Sequence, residues 1–189
     1  MKRLFYLAFS LLLILALTGC GSPQPEAELS ENEQLYLQIM EKTPLPEWVV
    51  LDENGDETVL RTEDGTFMVI NLWASWCGYC IHEIPYLNAA ADMAGDDVHF
   101  AALNVLDSAS AEYTYDEIAD AWSAMDDLGI ELTGYVDHKS EAAAGLYLRS
   151  VPMTLFVDGE NNIRLRYPGA FSSAEEIMEW LSYVQKYAD

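Results

Sequence analysis

The chain has few cysteines and, beside its acids, few positive charges, and each shortage excludes something. It has three cysteines among 189 residues, at positions 20, 77 and 80. A small secreted scaffold stapled by several bridges in place of a core is therefore excluded. A structural zinc site needs four ligands, and no second Cys/His pair at a ligand spacing accompanies Cys77 and Cys80. Nine basic residues stand against 32 acidic ones, a net charge of −23. A nucleic acid would be repelled, with no basic stripe to release its counterions. The same sign gives no electrostatic hold on anionic lipid. The acidity itself reads first as solubility and second as steering toward basic partner proteins. Internal repeats are missing, and the length suits one domain with appendages. A hydrophobic fraction of 51%, with 12% aromatics, excludes a mainly disordered chain.

Long apolar runs are also lacking, with one exception at the N-terminus. Lys2-Arg3 precedes an apolar stretch from Leu4 to Leu17 broken only by Ser10. It falls short of the roughly 18–20 residues of a comfortable transmembrane helix and has the layout of a processing signal. It closes on Leu17-Thr18-Gly19-Cys20, which resembles the bacterial lipobox, whose cysteine is acylated and becomes the first residue of the mature protein. That resemblance implies a signal peptide over 1–19, lipidation of Cys20 with two chains, and a stable tether on the extracytoplasmic face of the bacterial cell membrane. Cys77 and Cys80 are then the only redox-capable pair, in a compartment where disulfides persist.

What is present beyond the leader divides cleanly. Residues 20–46 read as a lipidated terminus and Pro/Ser/Gln/Glu-rich spacer with one short helix. Ser30-Glu31-Asn32-Glu33 has the form of a capping box, and Pro44 stops the helix. Residues 47–189 read as the folded domain, in the order βββαβαβαββα. A hairpin is predicted over 48–60 around Asn54-Gly55. The apolar, β-branched run Phe67 to Trp73 predicts a buried central strand, and Ile81 to Met93 a helix. Further strands are predicted at 98–105, 132–136, 153–157 and 163–167, and further helices at 115–128, at 140–146 and after Ser172 or Ser173.

Cys77-Gly78-Tyr79-Cys80 falls at the junction of the central strand and its helix. Unpaired N–H groups and the positive end of the helix dipole favour a thiolate there. The order of elements and five local matches resemble the thioredoxin fold, and more narrowly the membrane-tethered thiol-disulfide oxidoreductases of the TlpA/ResA type. The matches are Val69 through Cys80; Glu83 and Pro85; Asn104-Val105; Ala144 through Pro152; and Pro168-Gly169. The resemblance implies an α/β, thioredoxin-like fold: a central mixed sheet flanked by helices, with an N-terminal β-hairpin extension. It implies an exposed Cys77 as attacking thiolate and Cys80 as resolving thiol. Glu83, one helical turn on, is the candidate proton acceptor. Val151-Pro152 is the expected cis peptide, whose backbone would pair an extended substrate segment, with Trp76 and Tyr79 lining the groove. Asn71 takes the place of thioredoxin's buried aspartate, and Met153 stands where the family usually has threonine.

The expected partners are proteins bearing disulfides or thiols and a membrane electron donor of the thiol-disulfide type, acting on a monomer. No cofactor or metal is expected. Copper delivery in this fold generally uses Cys-x-x-x-Cys with a distal histidine, and this spacing is one residue short. His82 points away from Cys80 on a helix, and His99 and His138 carry no site argument. Gly78-Tyr79 places no histidine between the cysteines, which favours a reductase over an oxidant. The alternative is a non-catalytic lipoprotein whose Cys77–Cys80 disulfide is a staple.

Overall fold

The computed structural model describes residues 29–62 and 65–188, so the expected signal peptide, Cys20 and most of the spacer lie outside the described residues. Among those described, eight strands make one mixed sheet: β1 Thr43–Pro44, β2 Val49–Leu51, β3 Glu57–Val59, β4 Phe67–Trp73, β5 Val98–Asn104, β6 Thr133–Val136, β7 Met153–Val157 and β8 Asn162–Pro168. Their order is β1-β8-β7-β4-β5-β6-β2-β3. Five helices accompany them: α1 Glu31–Ile39, α2 Gly78–Ala94, α3 Tyr115–Leu128, α4 Glu141–Gly145 and α5 Ala174–Lys186.

The middle of the sheet explains the apolar run of β4. It pairs in parallel with β5, from Phe67 opposite Val98 to Trp73 opposite Asn104, and antiparallel with β7. A strand covered on both faces is hydrophobic throughout rather than alternating. Its side chains still divide by the period of two. Val69 joins Leu87 of α2 and Ile177 and Trp180 of α5. Met68, Ile70 and Leu72 enter the opposite layer with Trp48, Ala142 and Leu146. A third cluster lies at the carboxyl end of β4, where Trp73, Ala74 and both cysteines meet Ala121 and Met125 of α3.

Helix ends follow local chemistry. Thr114 and Glu117 form a capping box at the start of α3, and Gly129, at φ 67°, closes its other end in a left-handed turn. The Ser173 hydroxyl accepts the Glu176 N–H at the start of α5, which decides between the two serines expected there.

The hairpin β2–β3 precedes the central strand as expected and lies at the far edge of the sheet, where Leu51 pairs with Val136 of β6. One feature differs from the sequence reading: the sequence starts the domain at Glu47, whereas the compact unit begins at Glu31. Tyr36 of α1 is fully buried between the rings of Tyr183 and Tyr187, and β1 adds an edge strand to β8. No helix among the described residues is long and apolar enough to cross a membrane.

Candidate active site

Strand β4 ends at Trp73, and the chain turns over Ala74–Trp76 into α2. The Ser75 N–H donates to both carboxylate oxygens of Asp107, at 3.1 and 3.0 Å. Asp107 is itself held by the Asn104 amide at 2.7 Å, and its own N–H donates to the Tyr113 hydroxyl at 2.9 Å. The Trp76 indole N–H donates to the Leu106 carbonyl at 3.2 Å, which fastens the other side of the turn. The sequence reading noted Asn104-Val105 but missed Asp107 and Tyr113; a carboxylate just past a strand end is the signal that would have found Asp107.

Cys77 is the N-cap of α2. Its sulfur accepts the Cys80 N–H at 3.1 Å and is joined to Cys80 in a disulfide. An amide N–H at a helix N-terminus stabilises a thiolate at this sulfur when the pair is reduced. Cys77 was expected to be exposed, but it is only 5% exposed and Cys80 only 1%. What stands out in solvent is the pair of rings beside them, Trp76 at 63% and Tyr79 at 77%. The bulky neighbours project while the sulfurs stay in the cluster beneath. Opposite Cys77, the Val151 carbonyl oxygen lies 3.6 Å from its sulfur, and the Val151-Pro152 bond is cis.

Glu83 lies one turn beyond Cys80 and is wholly buried. Each carboxylate oxygen has one donor: the Asn71 amide of β4 at 2.8 Å, and the Phe171 backbone N–H at 2.9 Å. Burial, only partly offset by these two donors, pushes its pKa up to about 7. The Asn71 amide also donates to the buried Thr154 hydroxyl of β7 at 3.1 Å. Thr154, one residue beyond the half-buried Met153, thus keeps the link from β7 through β4 to α2. The sequence reading named Asn71 without joining it to Thr154, and nothing in it pointed to Phe171, whose backbone is the donor.

Pro85 is exposed and lies within α2. His82 is exposed with its ring against Tyr86, and His138 is turned to Glu57 at 3.1 Å. Neither approaches the site through any contact seen here. Among the described residues no cluster of His, Cys, Asp and Glu could hold a metal ion.

A dithiol pair capping the helix after the central strand, on this sheet order, places the protein among thioredoxin-like thiol-disulfide oxidoreductases. Comparison with known proteins agrees: the chain belongs to the Redoxin family, whose model matches residues 38–179. It is 23% identical to the thiol-disulfide oxidoreductase ResA of Bacillus subtilis over 163 residues, 86% of this chain and 83% of that protein. It is 29% identical to the thiol:disulfide interchange protein DsbE of Yersinia pestis over 133 residues, 70% of this chain and 63% of that one. The exposed lipoprotein thioredoxin Etrx1 of Streptococcus pneumoniae shares the fold at a TM-score of 0.60 and 23% identity, over 72% of this chain and 98% of its own. The protein is thus an oxidoreductase with a Cys77–Cys80 redox pair, and not one whose disulfide is only a staple.

Proposed function

We propose that this protein is a lipid-anchored reductase of disulfides in exported proteins, acting at the extracytoplasmic face of the bacterial cell membrane. The observation that carries the chemistry is Glu83, sealed one turn beyond Cys80 with a pKa of about 7. In the reduced enzyme the Cys77 thiolate attacks a substrate disulfide and expels one substrate thiolate. The Cys80 thiol gives its proton to Glu83, and the resulting thiolate attacks the Cys77 sulfur of the mixed disulfide. The second substrate sulfur leaves as a thiolate, the two substrate thiolates take protons from solvent and Glu83 releases its own, so that the substrate has gained two electrons and Cys77–Cys80 is again a disulfide. The Val151 carbonyl beside Cys77 suits backbone pairing with an extended substrate segment, and Trp76 and Tyr79 supply exposed aromatic surface next to it.

Electrons must return to the pair, and a membrane donor of the thiol-disulfide type is the matching source. The reductive direction is supported by Gly78-Tyr79, which puts no cation between the cysteines to stabilise the Cys77 thiolate further. Oxidised apocytochrome c, or a repair enzyme such as a methionine sulfoxide reductase, is the kind of substrate this reading admits. The tether rests on the leader and on Leu17-Thr18-Gly19-Cys20, and a structural neighbour is itself an exposed lipoprotein.

The test is Cys80→Ser expressed in cells, with mixed disulfides captured through Cys77 and identified by mass spectrometry. Exported substrate proteins and a membrane thiol protein are expected among the trapped partners. An empty trap would remove the proposal's main support. Cys20→Ser should release the protein from membranes, since a chain of net charge −23 has no electrostatic attraction to fall back on.

A further inference from the structure

Seven of the nine basic residues lie in the described part of the chain, and six of them are committed to a carboxylate. Lys42 pairs with Glu160, Arg61 with Glu47, Lys139 with Glu57, Arg164 with Asp158, Arg166 with Glu41, and Lys186 with Glu33. Arg149 alone among them has no ion pair, and it is exposed. On a surface this acidic, a cation left unpaired has somewhere to be other than on its own protein.

Its position supplies the reason. Arg149 is two residues before Val151, whose carbonyl oxygen faces the Cys77 sulfur at 3.6 Å. Two residues span at most about 7 Å, so Arg149 lies on the same short segment as the Val151 carbonyl that faces the disulfide. The segments that frame the sulfurs are otherwise uncharged: residues 74–79 and 168–173 hold no ionisable Asp, Glu, Lys or Arg, and Arg149 is the only one in 146–152. The neighbouring loop 105–113 holds two acids. Asp107 is engaged by Ser75 and Asn104, and Glu112 lies within the field of Lys139. Among the described residues the redox face therefore presents exposed aromatic rings, the Asp107 carboxylate held by amides at the turn before Cys77, and in Arg149 one cation without an ion pair. Exposed aromatics beside an arginine are the composition that dominates protein recognition energetics.

We propose that Arg149 is a specificity-determining residue for the exchange reaction, recognising a carboxylate within two residues of the reacting cysteine on the incoming protein segment. This rests on the reading of the protein as a thiol-disulfide reductase with a substrate strand along Val151. A guanidinium takes a carboxylate with two parallel N–H bonds, so Asp or Glu is selected over an amide of the same shape. The rest of the surface repels acidic partners. Arg149 therefore sorts them by where their charge falls: a carboxylate at the cysteine is accepted and a diffuse acidic surface is not.

The test uses three disulfide-bearing peptides of one sequence, with Glu, Gln or Lys flanking the cysteine, reduced by the wild type, R149Q and R149K. The expected result is a Glu-to-Gln rate ratio about fivefold lower in R149Q than in the wild type, the scale of an exposed ion pair. The Gln peptide should react at an unchanged rate, and R149K should recover part of the ratio. An unchanged ratio in R149Q overturns the proposal, as does an equal loss on all three peptides, which would mean that Arg149 only shapes the loop. The wild-type rate on the neutral Gln peptide reports the reductase reading separately: if none of the peptides is reduced, that reading fails and not the recognition alone.

Discussion

Glu83 concentrates the chemistry of the site into one side chain, and its protonation affects both stability and rate. Its folded pKa of about 7 stands above the ordinary value of 4.5, because burial outweighs the donors from Asn71 and Phe171. Between those two values the folded protein holds a proton that the unfolded chain has released. Its contribution to stability is therefore complete below about pH 4.5 and declines as pH rises to 7, by about 3 kcal/mol, then levels off. Glu83→Gln removes this slope. The amide fits because Asn71 can turn over to accept from it, with the Thr154 hydroxyl donating in exchange. We expect the variant to be the more stable protein above pH 7, as read by urea denaturation across pH 5–8. Its disulfide reductase rate should lose the rise that the wild type shows through pH 7, and fall about 100-fold at pH 8, the lower end of what a general base supplies. A variant that keeps the wild-type pH profile would show that Glu83 does not take the Cys80 proton.

At the scale of elements, α1 belongs to the folded unit and not to the spacer. Its buried face sets Tyr36 among Tyr183 and Tyr187 and brings Glu33 to Lys186 and to the Tyr187 hydroxyl, at 2.8 Å for the latter. Leu35 and Ile39 face solvent, each 45% exposed. Tyr36→Ala should therefore cost about 3–5 kcal/mol in chemical denaturation, as for other large buried aromatics, while Leu35→Ala stays within about 0.5 kcal/mol. Equal effects would place α1 off the core. The helix itself was legible from Ser30-Glu31-Asn32-Glu33 and the apolar residues after it, although it ends at Ile39, short of Pro44, but its docking was not: about two and a half turns with apolar residues on more than one face do not say what they lie on. Strand β1 left no signal at all, since two residues ending in proline show no period, and its pairing with β8 is wholly tertiary. The hairpin was legible from Asn54-Gly55, yet its place beside β6 was not, because local turn chemistry sets register within the pair and nothing beyond it. The cysteines and Glu83 were legible because spacing and helical phase carry them, and the cis Pro152 only through the resemblance carried by Ala144 through Pro152. The burial of Cys77 and the roles of Phe171 and Asp107 were not, because they depend on segments that meet only in three dimensions.

Across the whole molecule, charge sets a background against which the site works. With 32 acidic and nine basic residues, repulsion among unpaired carboxylates outweighs the few exposed ion pairs, which are each worth about 0–1 kcal/mol. Helix α3 shows the imbalance locally: Asp116 and Glu117 suit the positive end of its dipole, but Asp126 lies near the negative end, with no basic residue in the last turn. Raising salt from about 0.01 to 0.1 M shortens the screening length from about 30 to about 10 Å, so distant repulsions fade before close pairs do. We therefore expect the melting temperature to rise with sodium chloride by several degrees, a shift of about 2–4 °C for each kcal/mol regained. A fall would mean that the ion pairs matter more than the net charge. This background also makes stability decline as pH rises, with the same sign as Glu83, and salt separates the two. Surface repulsion is screened at about 0.5 M salt, whereas a carboxyl buried under Phe171 is not. The part of the pH 4.5–7 slope that survives high salt in the wild type should be absent from Glu83→Gln. If high salt abolishes the slope in both proteins, the pH dependence belongs to the surface and Glu83 is ionised at far lower pH than its burial implies.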